Sequence, residues 1–158
     1  MKLTNINKSF GNKTVLKNTT LEFPAGKTTV MVGPSGSGKS TIIKLIIGLL
    51  KDYQGEILIS NENLGNINLN DLYDQITYIS QESPIFDGTL RENIVFDKKV
   101  SDKEILKVLK LVSLEKFYQR LENDLDTELG ERGIKMSGGE RQRVALARLF
   151  FEKSSIVI

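Results

Sequence analysis

Cysteine and histidine are both absent from this 158-residue chain. The absence of cysteine excludes a disulfide framework and thiol chemistry, which agrees with a reducing compartment. The absence of histidine removes the side chain that most often gains or loses a proton near neutral pH. Any acid–base chemistry in this chain therefore has to use other groups.

Long apolar runs and a strong charge bias are lacking as well. No stretch approaches the roughly 20 apolar residues that cross a membrane, and the amino-terminal segment has no signal-peptide core. The chain carries 22 Lys and Arg against 20 Asp and Glu, a net charge of +2, so bulk charge does not indicate a nucleic-acid or membrane partner. Hydrophobic residues make up 39% and charged residues 27%, as in globular domains. We expect a soluble, intracellular protein.

The first half of the chain has the pattern of β-strands separated by turns. Alternating apolar and polar residues predict an edge-type strand over residues 2–10 and a second strand over 14–23. The β-branched run at 28–32 predicts a buried strand. Residues 55–59 and 75–80 predict two more strands.

The second half has the pattern of helices. From 101 to 112 the apolar side chains of Ile105, Leu109 and Val112 share one helix face, and Ser101 with Glu104 forms an S-x-x-E capping box. A further helix is predicted over 139–153, before a final apolar strand in the sequence SSIVI. The order of elements indicates an α/β core that carries an inserted helical subdomain.

A phosphate-binding loop is predicted at residues 33–40, where GPSGSGKS matches G-x-x-x-x-G-K-[ST] between a predicted strand and the predicted helix IIKLIIGLL. Glycines allow successive backbone N–H groups to surround phosphate oxygens, and the following helix directs its positive end at the same anion. Lys39 would contact the β- and γ-phosphates, and the Ser40 hydroxyl would bind Mg²⁺. A flexible Gly/Ser turn is the alternative, and the full spacing favours a nucleoside triphosphate site. The residues expected to bind the nucleotide are Gly33, Pro34, Ser35, Gly36, Ser37, Gly38, Lys39, Ser40 and Thr41.

A second candidate anion site lies in MSGGERQRVALAR, residues 136–148. Ser137 and Glu140 form a capping box at the start of a helix, and Gly138 and Gly139 leave backbone N–H groups uncovered in its first turn. The alternative is a well-capped basic helix. In that reading three arginines occupy solvated positions: Arg141, Arg143 and Arg148.

Together, GPSGSGKST and MSGGERQRVALAR resemble the nucleotide-binding domain of an ABC transporter, the second stretch resembling the LSGGQ signature. The resemblance implies a P-loop NTPase core with an antiparallel β subdomain, binding ATP and Mg²⁺. It further implies that Phe10 stacks on adenine and that Gln81 contacts Mg²⁺ and the attacking water. In the family two such domains pair head to tail, so each ATP would also contact the partner's signature. The signature residues expected to do so are Ser137, Gly138, Gly139 and Glu140.

FDGTLRENI at 86–94 and TELGERG at 127–133 resemble exporter segments, the latter the X-loop. The resemblance implies transmembrane partner domains and a place at the cytoplasmic, inner face of the cell membrane, with no nucleic-acid partner expected. Three of the assignments that the resemblance implies also have a simpler interpretation. Phe10 could be an ordinary strand aromatic, Gln81 a solvated loop residue, and Glu131 with Arg132 surface charges.

The resemblance also implies a domain division, and the sequence departs from the family in three respects. Residues 1–81 would form the β subdomain and phosphate-loop core, about 82–140 the helical subdomain, and 141–158 the return to an incomplete core sheet. Glu140 stands where the family usually has Gln, and the added negative charge could weaken the hold on a partner's ATP; Met136 for Leu conserves volume. On this alignment the chain is truncated one residue before the Walker B Asp, so we expect it to bind ATP without efficient hydrolysis.

Three functions therefore remain open from the sequence. The first is the ATPase of an exporter, the second a nucleotide-binding module without turnover, and the third a soluble ABC ATPase acting on nucleic acid or ribosomes. A steady-state ATPase assay separates the first two, because turnover that Lys39→Ala abolishes would exclude the second. Salt-sensitive nucleic-acid binding would favour the third.

Overall fold

The computed structural model of the chain describes residues 1–80, 84–130 and 135–158. It is a mixed α/β structure, as predicted, and its contacts divide the chain into two compact units, Met1–Ile76 and Thr77–Ile158. The three-part division expected from the resemblance stays a prediction.

The first unit is built on a four-stranded antiparallel sheet in the order β2-β1-β3-β4. Its strands are β1 (Lys2–Phe10), β2 (Lys13–Glu22), β3 (Gln54–Ile59) and β4 (Glu62–Asn63), and its helices are α1 (Lys39–Ile46), a 3₁₀ turn (Leu64–Asn66) and α2 (Leu69–Gln75). The predicted edge position of β1 was wrong, because β2 and β3 pair with its two sides. Leu3 and Ile6 of β1 are fully buried, so this strand anchors the core of the unit.

Asparagines stabilise the irregular pairing of β1. The register between β1 and β2 shifts three times, and Asn5 and Asn18 have positive φ angles of 52° and 45°. The Asn7 side chain forms a hydrogen bond to the backbone of each of these residues. Its amide nitrogen donates to the carbonyl of Asn5 (3.0 Å), and its Oδ1 accepts from the backbone N–H of Asn18 (2.8 Å). Asparagine tolerates the left-handed conformation better than most residues, which fits these positions.

The predicted strand over residues 28–32 was wrong: the structure has no strand there. Val30 and Val32 are 76% and 92% exposed. A buried strand requires a neighbour to pair with its backbone groups, and no strand that the structure describes lies beside this segment. A local apolar pattern cannot supply that neighbour.

The second unit is mainly helical. Its helices are α3 (Leu90–Val95), α4 (Asp102–Leu111), α5 (Glu115–Tyr118), a 3₁₀ turn (Asp124–Asp126) and α6 (Gly138–Leu149). Its strands are the short β6 (Gly88–Thr89), which pairs with β7 (Glu128–Leu129), and β8 (Ile156–Val157), which pairs with β5 (Ile76–Thr77). One apolar core joins the helices; its fully buried members include Leu90, Ile105, Leu109, Leu114 and Val144.

Capping boxes begin three of these helices. Those at Ser101 and Ser137 were predicted and are confirmed, with the side chains of Glu104 and Glu140 closing them. A third box, Thr89 with Glu92, starts α3 and has the same T-x-x-E signal in the sequence. Helix α6 ends at Leu149, earlier than the predicted 153. None of the helices in the described ranges is long and apolar enough to cross a membrane.

The final apolar run forms the predicted strand, although not a fully buried one. The N–H of Ile158 donates to the carbonyl of Thr77 (2.9 Å), and the N–H of Ile79 donates to the carbonyl of Ile158 (2.8 Å). Val157 is 58% exposed. The pairing is the parallel kind that P-loop folds use.

Gly55→Ala tests the close approach of β3 to β1. Gly55 has a φ of +100°, and a Cβ there would lie 2.5 Å from the carbonyl oxygen of Thr4 and 2.6 Å from that of Asn5. Because backbone atoms cannot yield as a side chain can, we expect the free energy of unfolding to fall by at least about 2 kcal/mol. Gly11→Ala, at φ +56° with no atom within 4 Å, is the matched control and should cost only about 1 kcal/mol. Equal losses in urea unfolding would contradict the close approach.

Candidate functional site

The predicted phosphate loop leads directly into helix α1, which begins at Lys39. Gly38, at the position before the helix, has a φ of +92°, and a Cβ there would lie 2.7 Å from Cδ2 of Leu16. Only glycine meets both constraints. Within the described residues, no side chain caps the start of α1. The start of α1 is therefore a helix end whose amide donors are available to an external anion.

The Lys39 ammonium is held within the loop. It donates to the carbonyls of Gly33 (2.7 Å) and Pro34 (2.8 Å) and to the Ser37 hydroxyl (3.3 Å). Its positive charge thus lies among the loop residues, where backbone N–H groups and the helix dipole also favour an anion. Ser40 follows on the first turn of α1 and is exposed, so its hydroxyl is accessible to a metal ion. No group of three or more acidic, His or Cys side chains suited to a metal exists in the described ranges.

Phe10, at the end of β1, is 47% exposed and is not packed into the sheet core. The Nζ of Lys8 lies 5.1 Å from the centroid of its ring. Lys8 is itself only 7% exposed, because its ammonium donates to the carbonyls of Lys51 (2.7 Å) and Asp52 (3.0 Å). The ring is thus backed by a fixed cation and keeps open surface for another partner.

The signature segment begins α6 with reciprocal hydrogen bonds. Oε2 of Glu140 accepts from the N–H (2.8 Å) and the hydroxyl (2.8 Å) of Ser137, whose Oγ accepts from the N–H of Glu140 (3.3 Å). Burial raises the pKa of Glu140, but the bonds from Ser137 and the charges of Arg120 and Arg143 outweigh it, so the pKa lies below its ordinary value. Glu140 is therefore an ionised carboxylate in the first turn of the helix.

The arginines of α6 are not all solvated. Arg148 is half-buried; its Nε donates to the carbonyl of Asn93 (2.7 Å) and its Nη2 to the carbonyl of Pro84 (2.8 Å). Burial lowers its pKa. Nη1 of Arg141 donates to the carbonyl of Met136 (2.9 Å), and Nε of Arg143 is buried with no hydrogen-bond partner among the described residues. The plain basic-helix interpretation was therefore wrong for Arg148, which ties α6 to α3.

An aromatic concavity lies beside this arginine in the second unit. The Arg148 guanidinium is 5.2 Å from the ring of Phe86 and 5.5 Å from the ring of Phe96, and the two rings are 6.0 Å apart. The cavity has a volume of about 600 Å³. Its lining consists of Phe86, Asp87, Glu92, Asn93, Phe96 and Asp97. Sequence reasoning missed this feature, although Phe86 begins the exporter-like segment.

Three residues of interest lie outside the described residues: Gln81, Glu131 and Arg132. Among the described ones, the phosphate loop belongs to the first unit and the signature to the second.

Comparison with known proteins decides the family, because a family model described as "ABC transporter" matches residues 16–158. The chain belongs to the ABC transporter family. Its ATP-binding domains are ATPases, and this chain is an ABC nucleotide-binding domain of the exporter type.

Similar proteins support the exporter type. The chain is 38% identical over 148 residues to a Rickettsia typhi protein described as an export ATP-binding/permease protein, covering 93% of this chain and 26% of that one. It is 41% identical over 154 residues to the mitochondrial iron–sulfur clusters transporter of Candida albicans, covering 95% of this chain and 20% of that one. A bacterial Atm1-family ABC exporter solved with ATP bound matches with a TM-score of 0.88 and 33% identity, over 99% of this chain and 28% of that one. The chain thus spans about a quarter of the length of these relatives.

Substitution of Arg148 tests its role in joining α6 to α3. Arg148→Ala removes two charged hydrogen bonds to backbone carbonyls, and we expect the free energy of unfolding to fall by about 2–3 kcal/mol. Arg148→Lys should recover only part of this loss, because one ammonium cannot reproduce the planar fork. Lys107→Ala, an exposed cation on α4, should change stability by less than about 0.5 kcal/mol. An Arg148→Ala variant as stable as Lys107→Ala in urea unfolding would contradict the assignment.

Proposed function

We propose that this chain is the ATP-binding unit of an ABC exporter, in which ATP binding and hydrolysis drive transport across a membrane. The main supporting observation is the phosphate loop, where the Lys39 ammonium and the uncapped start of α1 direct positive charge at one place. Backbone N–H groups of residues 35–38 would surround the phosphates, and Lys39 would exchange its carbonyl partners for phosphate oxygens.

Mg²⁺ would be bound by the Ser40 hydroxyl together with phosphate oxygens, and by Gln81. The ion supplies charge neutralisation at the β- and γ-phosphates when it is bound. The described residues fit this role in one respect: Ser40 is exposed on the first turn of α1, directly after Lys39. Thr41, the next residue, is half-buried and would support the loop from the helix side.

Phe10 would stack on the adenine ring. Its exposure leaves ring surface for a base, and Lys8 lies over one face of the ring. Base stacking on an aromatic side chain is worth about 1–3 kcal/mol per base.

A second copy, or a related domain, would complete the ATP site. Ser137, Gly138, Gly139 and Glu140 begin α6, a helix of 12 residues whose amino-terminal end favours an anion. In the head-to-tail pair that the resemblance implies, this end would contact the ATP held by the partner's phosphate loop.

Transmembrane domains would be the other partner, and the chain would work at the cytoplasmic face of a membrane. The relatives support this, since one is described as an export ATP-binding/permease protein and this chain covers 26% of it. The coding region that adjoins this segment tests the inference. We expect it, or a neighbouring gene, to encode apolar spans of about 20 residues. A genomic neighbourhood without any such span would contradict a membrane partner.

Nucleotide titration tests the ATP site itself. We expect Lys39→Ala to weaken ATP binding at least about tenfold, because a charged contact to phosphate is lost. Phe10→Ala should weaken it by about 1–3 kcal/mol, that is about 5- to 150-fold, while Phe10→Tyr keeps most of the affinity.

The control is Tyr73→Ala, since Tyr73 on α2 is 46% exposed, close to the exposure of Phe10. Calorimetric titration with ATP and Mg²⁺ measures all four variants beside the wild type. An affinity that Phe10→Ala leaves unchanged would return Phe10 to the role of an ordinary strand aromatic. An affinity that Lys39→Ala leaves unchanged would overturn the proposed function.

A further inference from the structure

Glu140 carries an ion pair that the capping box does not need. Its Oε2 is used by Ser137, while its Oε1 accepts from Nη2 of Arg120 at 2.5 Å. The Glu140 side chain is 14% exposed and that of Arg120 is 54% exposed. Both carboxylate oxygens of Glu140 are therefore engaged, one by the helix cap and one by an arginine 20 residues earlier in the chain.

Arg120 is held in place by the core of the second unit. It is the second residue after the end of α5, and its guanidinium lies 5.1 Å from the ring of Phe117, which is only 3% exposed. A guanidinium over an aromatic face is attracted to it. Arg120 is thus not a free surface cation, because the buried ring and the carboxylate together fix its position.

The charge of Glu140 matters because the proposed function brings a triphosphate to the start of α6. A carboxylate in the first turn stabilises the helix but repels a second anion at the same place. In the family the corresponding residue is usually Gln, which caps without a charge. The ion pair of Glu140 with Arg120 has no net charge, like that Gln, and Glu140 still closes the cap.

We propose that Arg120 is a positioning residue of the signature, one that neutralises Glu140 so that the start of α6 can accept the phosphate of an ATP bound by a second copy. The inference rests on the proposed function. Arg143, on α6 itself, adds positive charge near Glu140 and is the other charged group that acts on the carboxylate. Arg120 is the arginine that forms a hydrogen-bonded ion pair with the Glu140 carboxylate.

A double-mutant cycle tests this role. The readout is the ATP-dependent association of two copies of the full chain, measured by light scattering with ATP and Mg²⁺. We expect Arg120→Met to weaken this association at least about tenfold. In the Glu140→Gln background the same substitution should have no further effect, because no charge remains to be neutralised. Arg120→Lys should keep most of the association, and Lys116→Met, which removes an exposed cation from α5, is the matched control.

A pH series separates a charge effect from a structural one. In Arg120→Met the association should recover as the pH falls through the titration of Glu140, because protonation removes the uncompensated charge. The Arg120→Met, Glu140→Gln double variant is the control. Because it has no carboxylate at position 140, any pH dependence of its association comes from other groups, including those of ATP. Recovery confined to the variant that keeps Glu140 supports the inference.

Two results would overturn the inference while leaving the ATP site intact. One is an Arg120→Met variant that associates like the wild type. The other is an equal loss from Arg120→Met in the wild-type and the Glu140→Gln backgrounds, which would show that Arg120 acts only on the fold. Failure of the proposed function looks different: the wild type would bind no ATP in the calorimetric titration. If the wild type binds ATP but two copies do not associate, the proposed pairing of two copies is wrong, and this inference is wrong with it.

Discussion

The first backbone N–H groups of a helix need acceptors, and the way this chain meets that need organises both of its units. Helices α3, α4 and α6 each begin with a Ser or Thr whose hydroxyl and a following Glu satisfy those groups internally. Helix α1 begins after Gly38, which has no side chain to offer. The chain thus closes the starts of these three helices of the second unit with side chains, and leaves the start of α1 without a side-chain cap.

Helix α6, which begins with the signature, combines a side-chain cap with a proposed role in binding an anion. Its cap is complete, yet the capping residue is an ionised Glu140 at the end that the proposed function assigns to an anion. Helix stability favours the carboxylate, and phosphate binding opposes it. The ion pair with Arg120 reconciles the two demands, because the carboxylate stays in the cap while the Arg120 guanidinium balances its charge.

Local patterns were the part of this structure that the sequence could predict. The strands at 2–10 and 14–23, the capping boxes at Ser101 and Ser137, and the helix that begins at Lys39 all depend on residues within a few positions of each other. The phosphate-binding role of the loop before this helix stays a prediction. The failures concern distant partners. Residues 28–32 have the composition of a buried strand but no strand beside them, and β1 has a second neighbour that its own alternation could not reveal. Arg148 was interpreted as a solvated residue and nothing in the sequence singled out Arg120, because their partners, Pro84, Asn93 and Glu140, lie 20 or more positions away. The predicted roles of Phe10 and Gln81 stay predictions.

The irregular pairing of β1 has a consequence for how the amino-terminal hairpin folds. A regular hairpin can slide by two residues and keep its side chains on the same faces, so wrong alignments compete with the right one. Here the bond from the Asn18 N–H to Asn7 forms between the two strands and requires the register of the structure, whereas the bond from Asn7 to Asn5 lies within β1. A slipped hairpin would lose the bond between the strands and place the left-handed residues opposite regular ones. The bond between Asn7 and Asn18 and the left-handed conformations of Asn5 and Asn18 thus favour one alignment of this hairpin over a slipped one.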